Sequence, residues 1–126
     1  TTGRPRRCGW FDAALVRFAC MVNGIDELVI TKLDVLSGHP TVRIGVGYRY
    51  DGREYDMFPV DMKVFSRCEV IYEEVPGWQE PLSGVERYED LPCEARHYVD
   101  RLEKLIGTRI SMVSVGSDRE QTFLRH

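Results

Sequence analysis

Thr31-Lys32-Leu33-Asp34 sets a lysine and an aspartate two residues apart, directly after the short apolar run Leu28-Val29-Ile30. Charges in that position are costly beside a core unless they pair or bind something. A carboxylate there can accept two hydrogen bonds, from the N1–H and the exocyclic amino group of guanine, while the aliphatic lysine stem lies along the base. Adenine offers no such pair of donors, so a site built on Asp34 rejects it by leaving the carboxylate without partners. The plainer reading is a surface Lys–Asp pair flanking a strand, and four residues by themselves leave both readings open.

Two further stretches gain meaning beside the first. Ser114-Val115-Gly116 closes another apolar run, where a glycine lets a flat ring approach the backbone and nearby amides bind a base oxygen. Taken alone it is a strand running into a turn. The opening Thr1-Thr2-Gly3-Arg4-Pro5-Arg6-Arg7 offers hydroxyl and amide donors at Thr2 and Gly3. Arg4 and Arg6 add two planar forks suited to carboxylate or phosphate. Arg7 is read as pointing outward, and a basic terminus that binds nothing is the alternative.

These residues need elements to hold them. Phe11, Ala14, Leu15, Phe18, Ala19 and Val22 recur at helical spacing before Asn23-Gly24, which predicts an amphipathic helix with that face buried. Leu28 to Ile30 is too brief for a helix and reads as a strand covered on both faces. Val42, Ile44, Val46, Tyr48 and Tyr50 alternate with Arg43, Gly45, Gly47 and Arg49, and Asp51-Gly52 turns the chain into Arg53-Glu54-Tyr55 as a hairpin. Val70 to Tyr72 is a short strand closed by Pro76-Gly77-Trp78. Pro92 opens a second helix, with Asp90 as its cap, with Ala95, Tyr98, Val99, Leu102, Leu105 and Ile106 on one face and with Gly107 at its end. A strand over Ile110 to Val115 follows. Two helix-then-strand units around a hairpin predict one domain with a mixed β-sheet flanked by helices, an α/β fold whose ligand sites collect at the carboxyl ends of strands. Lys32, Asp34, Ser114 and Gly116 all stand at such ends.

Composition sets the limits. With 126 residues the chain can bury one core, and 43% hydrophobic with 29% charged residues is ordinary for a globular protein. A net charge of −3 argues against a general nucleic-acid surface, because displacing counterions from phosphates needs a broad basic face. Any anion site is therefore local. No apolar run is long enough to span a bilayer, and no membrane partner is expected. Cys8, Cys20, Cys68 and Cys93 form no C-x-x-C pair and are read as reduced structural thiols of a cytoplasmic protein. His39, His97 and His126 lie far from one another and from the cysteines, so no metal site is expected. His39, between Gly38 and Pro40, reads as an ordinary loop residue.

Taken together, T-T-G-R-P-R-R-C-G-W from Thr1, T-K-L-D-V-L from Thr31, Y-E-E-V-P-G-W from Tyr72 and S-V-G-S-D-R from Ser114 resemble the carboxyl-terminal part of the adenylosuccinate synthetase family. They stand in the right order and at about the right spacing over essentially the whole chain. The resemblance implies residues 1–126 of a carboxyl-terminal segment of a P-loop-NTPase-like synthetase fold. It also implies a ligase that joins L-aspartate to inosine monophosphate (IMP) with GTP and magnesium, through a 6-phosphoryl intermediate, in purine (AMP) biosynthesis. The full enzyme of the family is a cytoplasmic homodimer.

Residue by residue, the resemblance makes 1–7 the aspartate loop. Thr1, Thr2 and Gly3 bind aspartate, Arg4 reaches the IMP ribose as well, and Arg6 serves aspartate and a nucleotide phosphate. Lys32, Leu33 and Asp34, with Ser114, Val115 and Gly116, form the guanine site. At Ser117 the family usually carries a proline against the base, so this chain lacks that apolar wall. The family's glycine-rich phosphate loop, its aspartate base and magnesium ligand, and its catalytic histidine have no counterpart in these residues, so the segment alone is expected to be inactive, with the magnesium ligands outside it. The rival expectation is a free-standing guanine-nucleotide binding module without catalysis.

Overall fold

The computed structural model describes residues 3–126. Phe11–Asp12 (β1) runs directly into helix α1, Ala13–Asn23. Asp12 Oδ1 accepts the Leu15 N–H at 2.9 Å, satisfying one orphan donor of the first turn, and its second oxygen accepts the Tyr48 hydroxyl. The helix ends at Gly24 in the left-handed conformation, as the sequence predicts. Its buried face differs from expectation: Ala13, Ala14 and Cys20 are buried, whereas Leu15 and Val22 face outward, Val22 being 63% exposed. Small side chains let α1 lie close against its neighbours, which turns the Ala13–Val16–Cys20 stripe inward and the larger residues out.

Strand β2, Glu27–Ile30, is the edge of a three-stranded sheet with β6, Arg109–Ser114, at its centre and β7, Thr122–Leu124, on the far side. The expected burial of β2 on both faces is corrected by Val29, which is 50% exposed. An edge strand here is covered on one side only. β2 and β6 run parallel, with Ile30 beside Val113, and β7 returns antiparallel with Leu124 beside Met112.

A second sheet is built on β3, Thr41–Tyr50. It pairs antiparallel with β4, Arg53–Tyr55, through the Asp51-Gly52 turn, and along its other side with β5, Glu69–Pro76. β1 lies parallel to Ile44–Gly45. The expectation of one mixed sheet is thus corrected to two: α1 carries the chain from β1 in one sheet to β2 in the other. β5 is longer than its apolar residues predict because its charges find partners, Glu73 with Arg101 at 2.6 Å and Glu74 with Arg43 at 3.0 Å. The short helix α2, Met62–Phe65, brings Phe65 against the Tyr48 ring.

Helix α3, Cys93–Ile106, packs between the sheets through Ala95, Tyr98, Val99, Leu102 and Ile106 and ends at left-handed Gly107. Asp90 does not cap it. Both its oxygens are held at 3.1 Å by the Arg87 fork, and Pro92 occupies the cap position. The core around α3 gathers Val42, Ile44, Trp78, Leu82, Ile110, Val113 and Val115. At its rim Arg125 bonds Glu103 at 2.6 Å and Asp100 at 2.8 Å and lies over the Tyr88 ring. Among the described residues no helix is long and apolar enough to cross a membrane, and all four cysteines are unpaired.

Candidate functional site

Parallel pairing of β2 and β6 puts their carboxyl ends side by side, and the chain leaves both ends through tight turns. Beyond Ile30, Lys32 adopts φ 60°, ψ 38°, a left-handed conformation that costs a non-glycine residue about 1 kcal/mol or more. A 3₁₀ turn over Leu33–Leu36 follows. Leu33 is 1% exposed and pins the turn to the core, which leaves Asp34 half-buried and Lys32 exposed on the same short loop.

The loop is tied down from one side. Trp78 Nε1–H donates to Ser37 Oγ at 3.0 Å, Gly38 N–H donates to the Trp78 carbonyl at 2.8 Å, and Gly77 N–H donates to Pro40 O at 3.0 Å. The approach is so close at Gly77 that a Cβ there would stand 1.9 Å from the His39 carbonyl oxygen, which requires the glycine. Trp78 is itself 2% exposed, so the strap is anchored in the core.

From β6, Ser114 is buried and its hydroxyl donates to the Gly116 carbonyl at 2.9 Å. Val115 N–H donates to the Gln121 carbonyl at 2.9 Å, while the Gly116 and Ser117 amides have no hydrogen-bond acceptor among the described residues.

Between the two turns opens a cleft of about 600 Å³, a usual size for a small-ligand site. Lys32, Asp34, Val115, Gly116 and Ser117 line it, and Pro81, Leu82 and Ser83 form the facing wall. Asp34 Oδ1 is buried there without a hydrogen-bond partner among the described residues. A carboxylate oxygen withdrawn from water and unpaired costs about 1–3 kcal/mol or more, which donors supplied by a ligand would offset. The structure thus brings together Lys32, Asp34, Val115 and Gly116 around one space. Leu33 and Ser114 stand behind it, one as an anchor in the core and one as a brace to the Gly116 carbonyl. Among the described residues no group of three or more His, Cys, Asp or Glu side chains converges, so these side chains do not by themselves form a cage for magnesium.

The opening segment is different. Thr1 and Thr2 lie outside the described residues. Gly3 through Gly9 are exposed and without regular structure, and Arg4, Arg6 and Arg7 pair with no carboxylate among the described residues. Its anchor is Trp10, half-buried, whose ring meets His39 edge-on at 5.4 Å. His39, an ordinary loop residue in the sequence reading, thereby joins the arginine segment to the Lys32–Asp34 loop. Sequence reasoning also missed the wall at 81–83, which carries no motif, and Gln121. For Gln121 a signal exists: it follows Asp118 by three, a spacing that reads as a helix-start box.

Comparison with known proteins fits this arrangement. A model of the adenylosuccinate synthetase family matches residues 1–123. The adenylosuccinate synthetase of Desulforamulus reducens is 52% identical over 98% of this chain, and that of Desulforudis audaxviator 55% identical over 97%, while the chain covers 29% and 28% of those proteins. The fully ligated adenylosuccinate synthetase of Plasmodium falciparum superposes with a TM-score of 0.91 at 33% identity, over all of this chain and 31% of that one. The chain therefore spans less than a third of the relatives it matches. With a family model matching nearly every residue and relatives about half identical over almost the whole chain, the chain belongs to the adenylosuccinate synthetase family.

Proposed function

We propose that this chain is the carboxyl-terminal part of an adenylosuccinate synthetase, a cytoplasmic ligase that joins L-aspartate to IMP at the expense of GTP in AMP biosynthesis. The observation that carries the reading is the unpaired, buried Asp34 Oδ1 in the cleft. Guanine places N1–H and its exocyclic amino group side by side, and Asp34 accepts both. The Lys32 stem covers the base, and the free Gly116 and Ser117 amides face its oxygen. Leu33, Ser114 and Val115 fix the two turns. The engaged Val115 N–H makes its role packing rather than donation. A hydroxyl at Ser117 stands where the family usually packs a proline, which reduces apolar contact with the base but leaves the Asp34 discrimination intact.

On this reading Thr1, Thr2, Gly3, Arg4 and Arg6 supply donors for the aspartate carboxylates and the IMP ribose and phosphate. The exposed guanidinium forks suit that task, because neither Arg4 nor Arg6 is consumed by an internal ion pair among the described residues. Magnesium and the groups that move the phosphoryl belong to the rest of the enzyme, and homodimer formation to the full protein.

Calorimetric titration with GDP, ADP and xanthosine diphosphate tests the reading. GDP is expected to bind at least about 100-fold more tightly than ADP, the worth of two charge-assisted hydrogen bonds. Asp34→Asn, which exchanges one acceptor for a donor, should shift preference toward the xanthine nucleotide. Equal binding of GDP and ADP would remove Asp34 from its assigned role. The same sample is expected to form no adenylosuccinate from IMP, aspartate and GTP, and turnover above blank would show that the segment carries its own phosphoryl-transfer groups.

A further inference from the structure

Gln121 lies outside every motif that marks the family, yet it meets the cleft-forming turn at several points. Its backbone carbonyl accepts from Val115 N–H at 2.9 Å, and its own N–H donates to the Asp118 carbonyl at 3.0 Å. Its side-chain Oε1 accepts from Asp118 N–H at 3.1 Å. A Cβ placed on Gly116 would stand 2.0 Å from Gln121 Oε1 and 2.4 Å from Cδ, so the carboxamide fills the space over that glycine. Gln121 also lines the cleft beside Gly116 and Ser117.

We infer that Gln121 is a positioning residue for the ligand cleft, a latch that holds the 115–118 turn so that the Gly116 and Ser117 amides stay fixed beside Asp34. The inference gives Gly116 a reason for being glycine that the sequence does not reveal: the space above it belongs to the glutamine side chain. An alanine there pushes out the carboxamide, whose flexible end moves more readily than backbone, and thereby breaks the Asp118 N–H bond. Gly116→Ala and Gln121→Ala are therefore expected to produce the same defect by opposite routes. The consequence for nucleotides rests on the guanine reading of the cleft; the consequence for the turn does not.

The experiment follows amide hydrogen exchange at Asp118 by NMR, together with GDP titration, in the chain and in Gln121→Ala, Gln121→Glu, Gly116→Ala and the double variant Gly116→Ala/Gln121→Ala. Gln121→Ala should speed Asp118 exchange about five- to tenfold and weaken GDP by a similar factor, the scale of one side-chain hydrogen bond, without lowering the melting temperature by more than a few degrees. Gln121→Glu keeps an acceptor oxygen and should restore Asp118 protection. Gly116→Ala should match Gln121→Ala, with the double variant no worse than either, because both remove one contact. Unchanged Asp118 exchange in Gln121→Ala overturns the latch. So does unchanged GDP affinity in that variant, or a double variant whose losses add. If the unsubstituted chain binds no GDP, the guanine reading fails, and Asp118 exchange still decides the latch.

Discussion

The cleft and the opening arginine segment sit one aromatic contact apart, at Trp10 and His39, and they are built by opposite rules. Around the cleft the turns are fixed by partners inside this chain: Ser37 with Trp78, Gly38 with the Trp78 carbonyl, Ser114 with the Gly116 carbonyl. Among the described residues, the buried Asp34 Oδ1 and the Gly116 and Ser117 amides are among the groups left without one. In residues 3–9 the side chains with binding capacity, Arg4 and Arg6, are exposed on backbone that no element organises. On the proposed reading the cleft suits a planar base, which needs only a few fixed groups to be recognised. A small flexible acid and a phosphate are met instead, on that reading, by the two guanidinium forks of Arg4 and Arg6, which stand exposed outside any helix or strand.

The contrast can be broken where the cleft loop is most tightly strapped. Gly77→Ala drives a Cβ into the His39 carbonyl, a backbone atom that cannot swing away. The expected loss is about 2–3 kcal/mol of unfolding free energy in urea, with GDP binding lost alongside. Retention of both would mean that the strap is not what holds Asp34.

Acid should reach the cleft sheet through its clamp. Arg125 beside Glu103 holds that carboxyl below the usual glutamate range, helped by the Ile110 N–H at the start of β6. A folded-state pKa below the unfolded one contributes stability that is present above the ordinary glutamate value and fades as pH falls through the lowered folded value. Arg125→Gln should therefore cost about 1–2 kcal/mol near neutral pH and progressively less as the carboxylate protonates. A pH-independent cost would show packing over Tyr88, not charge, to be what matters.

The smallest effects belong to the opening segment. Arg4→Ala and Arg6→Ala should each change stability by less than about 0.5 kcal/mol in thermal melts, as exposed substitutions do. A loss above about 1 kcal/mol from either would show that the segment is packed and erase the difference between the two regions.

How far the sequence could be read follows the same division. Helix α3 and the β3–β4 hairpin announce themselves because period and stop signals coincide, as at Gly107 and Asp51-Gly52. Lys32, Asp34 and Gly116 were legible because charge and glycine are out of place at strand ends. The two-sheet arrangement was not legible, since α1 crosses from one sheet to the other without any local mark of doing so. The exposure of Val29 and Val22 depends on which neighbours arrive, and no periodicity records that. β7 is three residues long and hidden among charges, and the 81–83 wall is set by where the strap at Trp78 delivers the chain.

The parallel pairing of β2 with β6 also dictates an order of assembly. Ile30 and Val113 are neighbours in space, yet most of the chain is made between them. The hairpin and the helices can form from nearby residues as synthesis proceeds, whereas closing this long loop draws its entropy penalty before any contact repays it. Until β6 is made, the turn that carries Lys32 and Asp34 follows a strand still without its neighbour. The cleft then closes only after Gly116 has been made, although Lys32, Asp34 and the 81–83 wall are synthesised well before it.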